Sequence, residues 1–293
     1  MLYKELLQIG RDKLINSGID VKIAKQNCED ILMHITHFSN ADLITKINQE
    51  NQEAKQTEEI VFNKAISDRC KKKPIQYITN NAVFFGYNFF VNESCLIPRV
   101  DSEVLVERAV EFVENNRDKF YSLNILDACC GSGCLGLSFV KTIKAKYNDK
   151  IKTDLTLLDK SQQAIQIAKI NSQKLDVKAK FIVSDVLTNG FGFEKYDIIF
   201  CNPPYIETKT IEKLDDEVKK YEPKMALDGG EDGLFFYKTI SKKLKNNLTK
   251  NGSAFFEIGY NQGNITQEIF KNNGFNVEIV KDYGKQDRCL IVC

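Results

Sequence analysis

Apolar positions follow two regimes along the chain. Up to about residue 70 they recur at helical spacing. Ala24, Cys28, Ile31, Leu32 and Ile35 stand at i, i+4, i+7, i+8 and i+11, which predicts one buried helix face. Ser39-Asn40 predicts a cap for a helix beginning near Ala41, and a polar helix is expected from about Glu53 to Asp68. After Leu123 short apolar runs alternate with helical stretches. Strands are predicted at Asn124–Asp127, Asp154–Leu158, Lys180–Val183, Tyr196–Phe200, Ser253–Ile258, Asn276–Lys281 and Arg288–Val292. Helices are predicted between most of them, at Leu135–Tyr147, Ser161–Leu175, Leu234–Asn246 and Gln262–Asn272. This alternation predicts an α/β fold: a mostly parallel seven-stranded sheet covered on both faces, with ligands at the carboxyl ends of the strands. Between the two regimes, Val83-Phe84-Phe85 and Asn88-Phe89-Phe90-Val91 predict an aromatic β-hairpin around Gly86-Tyr87. Leu96-Ile97-Pro98-Arg99 follows, then an amphipathic helix opening on Asp101 and Glu103 and running to about Asn115. The expected divisions are a helical domain over 1–72, a hairpin linker over 73–100 and a sheet domain over 101–293.

Composition narrows the classes. With 293 residues, 43% hydrophobic and 28% charged, the chain has the make-up of a globular protein with room for two domains. Its net charge of +1 lacks the basic surplus of a dedicated nucleic-acid binder. Through Cys70 there are nine Lys/Arg against eleven Asp/Glu, a better grip on protein than on nucleic acid, although a stabilising cap is nearly as good a reading. No apolar run is long enough to span a membrane, and Met1-Leu2-Tyr3-Lys4-Glu5 lacks the apolar core of a signal peptide, so a cytoplasmic protein is expected. Nine cysteines, an odd number, then point to free thiols. Cys129, Cys130 and Cys134 have no second Cys or His pair at zinc-site spacing, and His34 and His37 lie far off in a helical segment. No metal is expected.

The candidate chemistry sits where predicted strands end. The first ends in Asp127-Ala128-Cys129-Cys130-Gly131-Ser132-Gly133 before a helix, where small residues let a ligand approach backbone amides. Asp127 would repel a phosphate there, so the loop suits a ligand with a positive amino acid end. Asp159, ending the second strand, can accept both hydroxyls of a ribose. After the third strand, Asp185 can accept from an adenine amino group and Val186 can pack on the ring. The fourth strand runs into Cys201-Asn202-Pro203-Pro204-Tyr205-Ile206. Two prolines that fix φ and donate no hydrogen bond force a stiff exit from the sheet. Asn202 both donates and accepts, so the loop suits a flat, nitrogen-bearing substrate; on this stretch alone, a plain Pro-Pro turn is an equal reading. Arg99 either pairs with a carboxylate or sits solvated, and sequence does not choose.

Taken together, these motifs resemble class I S-adenosylmethionine-dependent methyltransferases that act on planar nitrogens. Lys73-Pro74-Ile75-Gln76-Tyr77-Ile78, Leu96-Ile97-Pro98-Arg99, Tyr221-Glu222-Pro223, Ala226-Leu227-Asp228-Gly229-Gly230-Glu231-Asp232-Gly233-Leu234, Glu257-Ile258-Gly259-Tyr260-Asn261-Gln262-Gly263 and Asp287-Arg288 narrow the likeness. In order and over almost the whole chain, they resemble the release-factor glutamine methyltransferases (PrmC/HemK). Two departures stand out. Val100-Asp101-Ser102-Glu103 replaces the usual Pro-Glu-Thr-Glu, and Val186 replaces an aromatic residue that would stack on adenine.

The resemblance implies S-adenosyl-L-methionine as cofactor, held by Asp127, Ala128, Cys129, Cys130, Gly131, Asp159, Asp185, Val186 and Asn202. It implies Asn202, Pro203, Pro204 and Tyr205 as the catalytic clamp, which with Arg99 also binds substrate. The substrate implied is the glutamine of the Gly-Gly-Gln motif in peptide chain release factors. A ribosomal-protein glutamine is the nearest alternative and DNA adenine N(6) a more distant one. The 1–72 domain is expected to recognise the release factor, with a monomeric enzyme, no membrane and no direct nucleic-acid substrate. In the implied chemistry the Asn202 side-chain oxygen and the Pro203 carbonyl accept the two amide hydrogens. Pro204 holds the shape and Tyr205 stacks on the amide plane.

Overall fold

The structure is a computed structural model that describes residues 1–49, 52–192 and 194–293. The chain forms two compact units: 1–81 with 215–221, and 82–214 with 222–293.

The first unit contains α1 (Tyr3–Asn16), α2 (Val21–Thr36), α3 (Asn40–Asn48), α4 (Gln56–Cys70) and α5 (Ile75–Thr79). Asp20 caps α2 by accepting from the Lys22 amide at 2.8 Å. Ser39 caps α3 in a reciprocal box with Asp42. The expected face of α2 is buried at Ala24, Cys28, Ile31 and Leu32, packing with Leu6, Leu14, Phe62 and Ile66. Asn27 shares that face because its Oδ1 accepts from the buried Arg69 Nε at 2.7 Å. Arg69 also pairs with Glu217 at 2.8 Å, which fastens the 215–221 segment to this unit.

The second unit opens with a hairpin of β1 (Ala82–Phe84) and β2 (Tyr87–Phe89), followed by α6 (Glu103–Asn115). The expected turn at Gly86-Tyr87 lies one residue earlier. Phe84 pairs with Tyr87, and Phe85 and Gly86 turn with φ of 51° and 76°, the signs of a type I′ turn. The Phe85 amide donates to Glu103 Oε1 at 2.7 Å, which holds the hairpin turn to the start of α6.

The remaining elements are β3 (Ser122–Ala128), α7 (Cys134–Tyr147), β4 (Lys152–Asp159), α8 (Gln162–Lys174), β5 (Ala179–Val183), α9 (Val186–Asn189) and β6 (Tyr196–Cys201). They continue with α10 (Asp216–Tyr221), which belongs to the first unit, α11 (Phe235–Ile240), β7 (Leu248–Glu257), α12 (Gly263–Lys271), β8 (Val277–Lys281) and β9 (Asp287–Val292). The single helix expected over Leu234–Asn246 is broken. After Ile240 the backbone tightens, the Lys243 amide donating to the Ile240 carbonyl. Lys243 Nζ and the Asn247 side chain then bind backbone carbonyls of Leu187, Thr188, Gly192 and Glu194.

The seven-stranded sheet has the order β5-β4-β3-β6-β7-β9-β8, parallel except for β9, which runs antiparallel to both its neighbours. Alternate residues feed two cores, as the pleat requires. Ile125, Leu157, Phe200 and Phe255 join the side packed by α6, α7 and α8 residues. Leu126, Leu158, Ile199 and Phe256 join the side packed by α11 and α12 residues. The chain winds outward from β3 through β4 to β5 and returns to the other side of β3 at β6. That reversal opens a crevice at the carboxyl ends of β3 and β6, where such sheets bind ligands. Ala128 pairs with Cys201, so the loop after β3 begins beside Asn202.

Candidate active site

A cavity of about 420 Å³ lies at that crevice, a size suited to a small organic ligand. Of the residues expected to hold a cofactor, Cys129, Cys130, Gly131, Asp159, Asp185, Val186 and Asn202 line it. Pro204 and Arg99 line it as well. Asp127, Ala128, Pro203 and Tyr205 are not on its wall.

The loop from Cys129 to Gly133 is held by two bonds that cross to β4. The Cys130 amide donates to the Leu158 carbonyl at 3.0 Å, and the Gly131 amide to Asp159 Oδ2 at 2.9 Å. Gly131 has φ +53°, and a Cβ there would meet only Cys95 at 4.0 Å, so the loop leaves open space beside its backbone. Asp159 Oδ1 accepts from the Ser161 amide at 2.8 Å. Burial raises the Asp159 pKa, against the stabilising bonds from Ser161 and Gly131. Asp159 lines the cavity, where a carboxylate can accept from a ligand hydroxyl.

Asp127 is 1% exposed and its Oδ2 accepts from the Gly136 amide, at 2.9 Å, in the first turn of α7. Its Oδ1 is buried with no hydrogen-bond partner among the described residues. Burial pushes this carboxyl up to about 8, outweighing the Gly136 bond. Asp185 behaves in the opposite way. Burial opposes its ionisation, but Lys160 at 2.9 Å and the Leu187 amide at 2.9 Å outweigh that and hold its pKa below the usual range. The thiols near the loop stay protonated: contact with Cys201 and then burial raise Cys129, while burial raises Cys130 and Cys134.

After the end of β6, Asn202 lines the cavity, and its side chain forms no hydrogen bond among the described residues. The peptide that follows is fixed from behind. Ile206 bonds the Leu227 carbonyl through its amide at 3.0 Å and the Gly229 amide through its carbonyl at 2.8 Å. Gln262 Nε2 donates to the Tyr205 carbonyl at 3.0 Å, and Gln262 Oε1 accepts from the Gly259 amide at 3.0 Å. The Tyr205 hydroxyl donates to Glu257 Oε1 at 3.1 Å, and its ring packs against the second core. Arg99 forms an ion pair with the buried Glu222, which takes the first of the two readings left open by sequence.

Residue reasoning assigned no role to Glu257, Gln262, Gly229 or Asn171. Glu257 carried a usable signal, since it ends β7 as Asp159 ends β4, and Asp127 and Asp185 lie within two residues of the ends of β3 and β5. Asn171 gave none. It is a mid-helix residue of α8 whose buried side chain bonds the Phe90 amide and carbonyl at 2.7 and 3.0 Å and the Ser132 carbonyl at 2.9 Å. It thereby ties the end of the hairpin to the loop after β3.

The sheet order, the reversal at β3 and β6 and the site opening on it define a class I methyltransferase. Two family models match the chain: the methyltransferase small domain over residues 100–220 and the PrmC N-terminal domain over residues 5–79. A release factor glutamine methyltransferase of Clostridium acetobutylicum is 37% identical over 90% of this chain and 90% of its own length. One from Chlamydia trachomatis serovar L2 is 32% identical over 97% of this chain and 92% of its own. A solved structure from Listeria monocytogenes, assigned to the class I S-adenosylmethionine-dependent methyltransferases, covers 99% of this chain and 87% of its own at 14% identity and a TM-score of 0.48. The chain belongs to the release factor glutamine methyltransferase family. Among the described residues no helix is long and apolar enough to cross a membrane.

Proposed function

We propose that this chain transfers a methyl group from S-adenosyl-L-methionine to the side-chain amide nitrogen of the glutamine in the Gly-Gly-Gln motif of peptide chain release factors. The carrying observation is the Asn202 amide, without an internal partner, on the wall of the cavity that Gly131 and Asp159 also line. Family membership supports the substrate.

The cavity residues fit the cofactor. Asp159 and Asp185 carry acceptors on the wall, and Asp127, off the wall, holds a buried carboxyl oxygen with no partner among the described residues. When bound, the cofactor supplies an electrophilic methyl group. The chain's own part is to bind the acceptor. An amide nitrogen is a weak nucleophile because its lone pair is delocalised into the carbonyl. The Asn202 side-chain oxygen and the Pro203 carbonyl would accept its two hydrogens and aim the nitrogen into the cavity, with Pro204 keeping their spacing. Holding two reactants in line lowers such barriers by about 7–11 kcal/mol in favourable cases. The first unit would recognise the release factor, and the enzyme would act as a cytoplasmic monomer without a nucleic-acid substrate.

The test is incubation with methyl-labelled S-adenosylmethionine and, separately, a release factor, ribosomal proteins and DNA. Mass spectrometry should place the label on one release-factor glutamine. Label on a ribosomal-protein glutamine or on adenine instead would overturn this reading.

A further inference from the structure

Tyr205 differs from the rest of the clamp in carrying a hydroxyl, and that hydroxyl is already bonded within the protein. Its ring packs against the second core, and its hydroxyl is 3.1 Å from Glu257 Oε1. Glu257 is 2% exposed and ends β7, the strand beside β6. The main chain around Glu257 is also held: the Tyr237 hydroxyl donates to its carbonyl at 2.7 Å. Burial, and then the neighbouring carboxylate, push the Tyr205 hydroxyl well above its usual pKa, so it remains a donor at physiological pH. At 3.1 Å this bond is longer than most between oxygens, and it fixes the direction of the hydroxyl toward a buried carboxyl whose own pKa burial raises. Three residues before Tyr205 in sequence, Asn202 has no such support of its own.

We propose that Tyr205 serves methyl transfer through its hydroxyl, as a positioning residue: its bond to Glu257 holds the peptide that carries the Asn202 amide and the Pro203 carbonyl in register with the cavity. The inference rests on the function proposed above and differs from ring stacking in one decisive respect. Stacking needs the ring and not the hydroxyl, so Tyr205→Phe would be active. Positioning needs the hydroxyl, so Tyr205→Phe would be impaired although its ring is intact.

The experiment measures kcat, KM for a release factor, cofactor Kd and amide exchange of Asn202, Tyr205 and Ile206 in wild type, Tyr205→Phe, Glu257→Gln, Glu257→Leu and the Tyr205→Phe/Glu257→Leu double variant. Loss of alignment is expected to lower kcat of Tyr205→Phe by about tenfold to a hundredfold, with cofactor Kd unchanged and faster exchange at Ile206. Glu257→Gln keeps an acceptor and should recover much of the turnover that Glu257→Leu loses. The double variant should be no slower than the slower single one, because both remove the same bond. Wild-type kcat in Tyr205→Phe, or additive losses in the double variant, would overturn the inference while leaving the functional reading intact. If wild type methylates no release factor, that reading fails, and unchanged exchange in Tyr205→Phe then overturns the pinning on its own. Glu257→Leu could fail to fold, but Tyr205→Phe, which removes a single oxygen, still decides.

Discussion

Gly229 lies against the clamp so closely that a methyl group on it would stand 2.7 Å from the Tyr205 Cα and 2.8 Å from the Pro204 carbonyl oxygen. Both neighbours are backbone, so neither can rotate away. Gly229→Ala must therefore displace either the Leu227–Gly229 segment or the clamp itself. Overpacking of this kind costs about 1–3 kcal/mol, read as a shift in a denaturant midpoint. Turnover should fall further than the stability loss explains, since the displaced peptide is the one after Asn202. Unchanged kcat in a destabilised Gly229→Ala protein would show that the segment is scaffold only.

Asp127 makes stability depend on pH in a direction unusual for a carboxylate. Its folded pKa is raised from 3.8 to about 8 by burial, so the folded state favours the neutral form. The contribution is full below pH 3.8 and is lost as pH rises through the window up to about 8. The slope approaches about 1.4 kcal/mol per pH unit inside that window. Asp127→Asn keeps an acceptor for the Gly136 amide and removes the titration. The ligand-free variant should lose that slope in denaturant titrations from pH 4 to pH 8, and its advantage over wild type should grow toward pH 8. If the carboxylate receives the cofactor's amino group, cofactor affinity should fall in the same variant. An unaltered slope would mean that Asp127 is ionised in the fold.

The sheet was legible because each of its strands is a short apolar run between polar bounds, and the acids at their ends marked the ligand edge. Asp159 and Asp185 could be placed from that pattern alone. What periodicity does not report is where a side chain turns at a strand's end. Asp127 reads like Asp159, yet it points to the start of α7 and not onto the cavity wall. Tyr205 reads as a ring that stacks on the substrate amide, yet its hydroxyl finds Glu257, 52 residues later in sequence. Such bonds are fixed by the β6–β7 pairing, which local sequence does not contain. The same holds for the segment 215–221, polar and short, whose place in the helical unit depends on Arg69.

Asn171 joins three backbone groups from two distant parts of the second unit, and it is fully buried. Asn171→Ala would leave the Phe90 amide and two carbonyls without these partners in the core. Each unsatisfied group costs about 1–3 kcal/mol, so a loss of roughly 3 kcal/mol or more is expected in denaturant unfolding. Because Ser132 lies in the loop beside the cavity, cofactor affinity measured by calorimetry should weaken as well. Asn171→Asp restores the acceptor for Phe90 but not the donors, and should rescue only part of the loss. A wild-type midpoint in Asn171→Ala would show that water replaces all three bonds.

Asn202 separates binding from chemistry. It lines the cavity and its side chain has no partner among the described residues, so truncating it removes no bond that holds the fold there. Asn202→Ala should unfold at the wild-type midpoint and bind S-adenosylmethionine nearly as tightly, because Gly131, Asp159 and Asp185 remain. The acceptor amide, however, would lose the oxygen that receives one of its hydrogens. Removing one preorganised polar partner of a reacting group typically costs about 10²–10³ in kcat, and a loss of that order is expected here. Asn202→Asp sharpens the test. Its carboxylate keeps the acceptor, so it should retain more turnover than Asn202→Ala if accepting the hydrogen is the role, and no more if the amide's own N–H is what matters. Equal loss of cofactor affinity and turnover in Asn202→Ala would place the residue in cofactor binding and remove it from the transfer step.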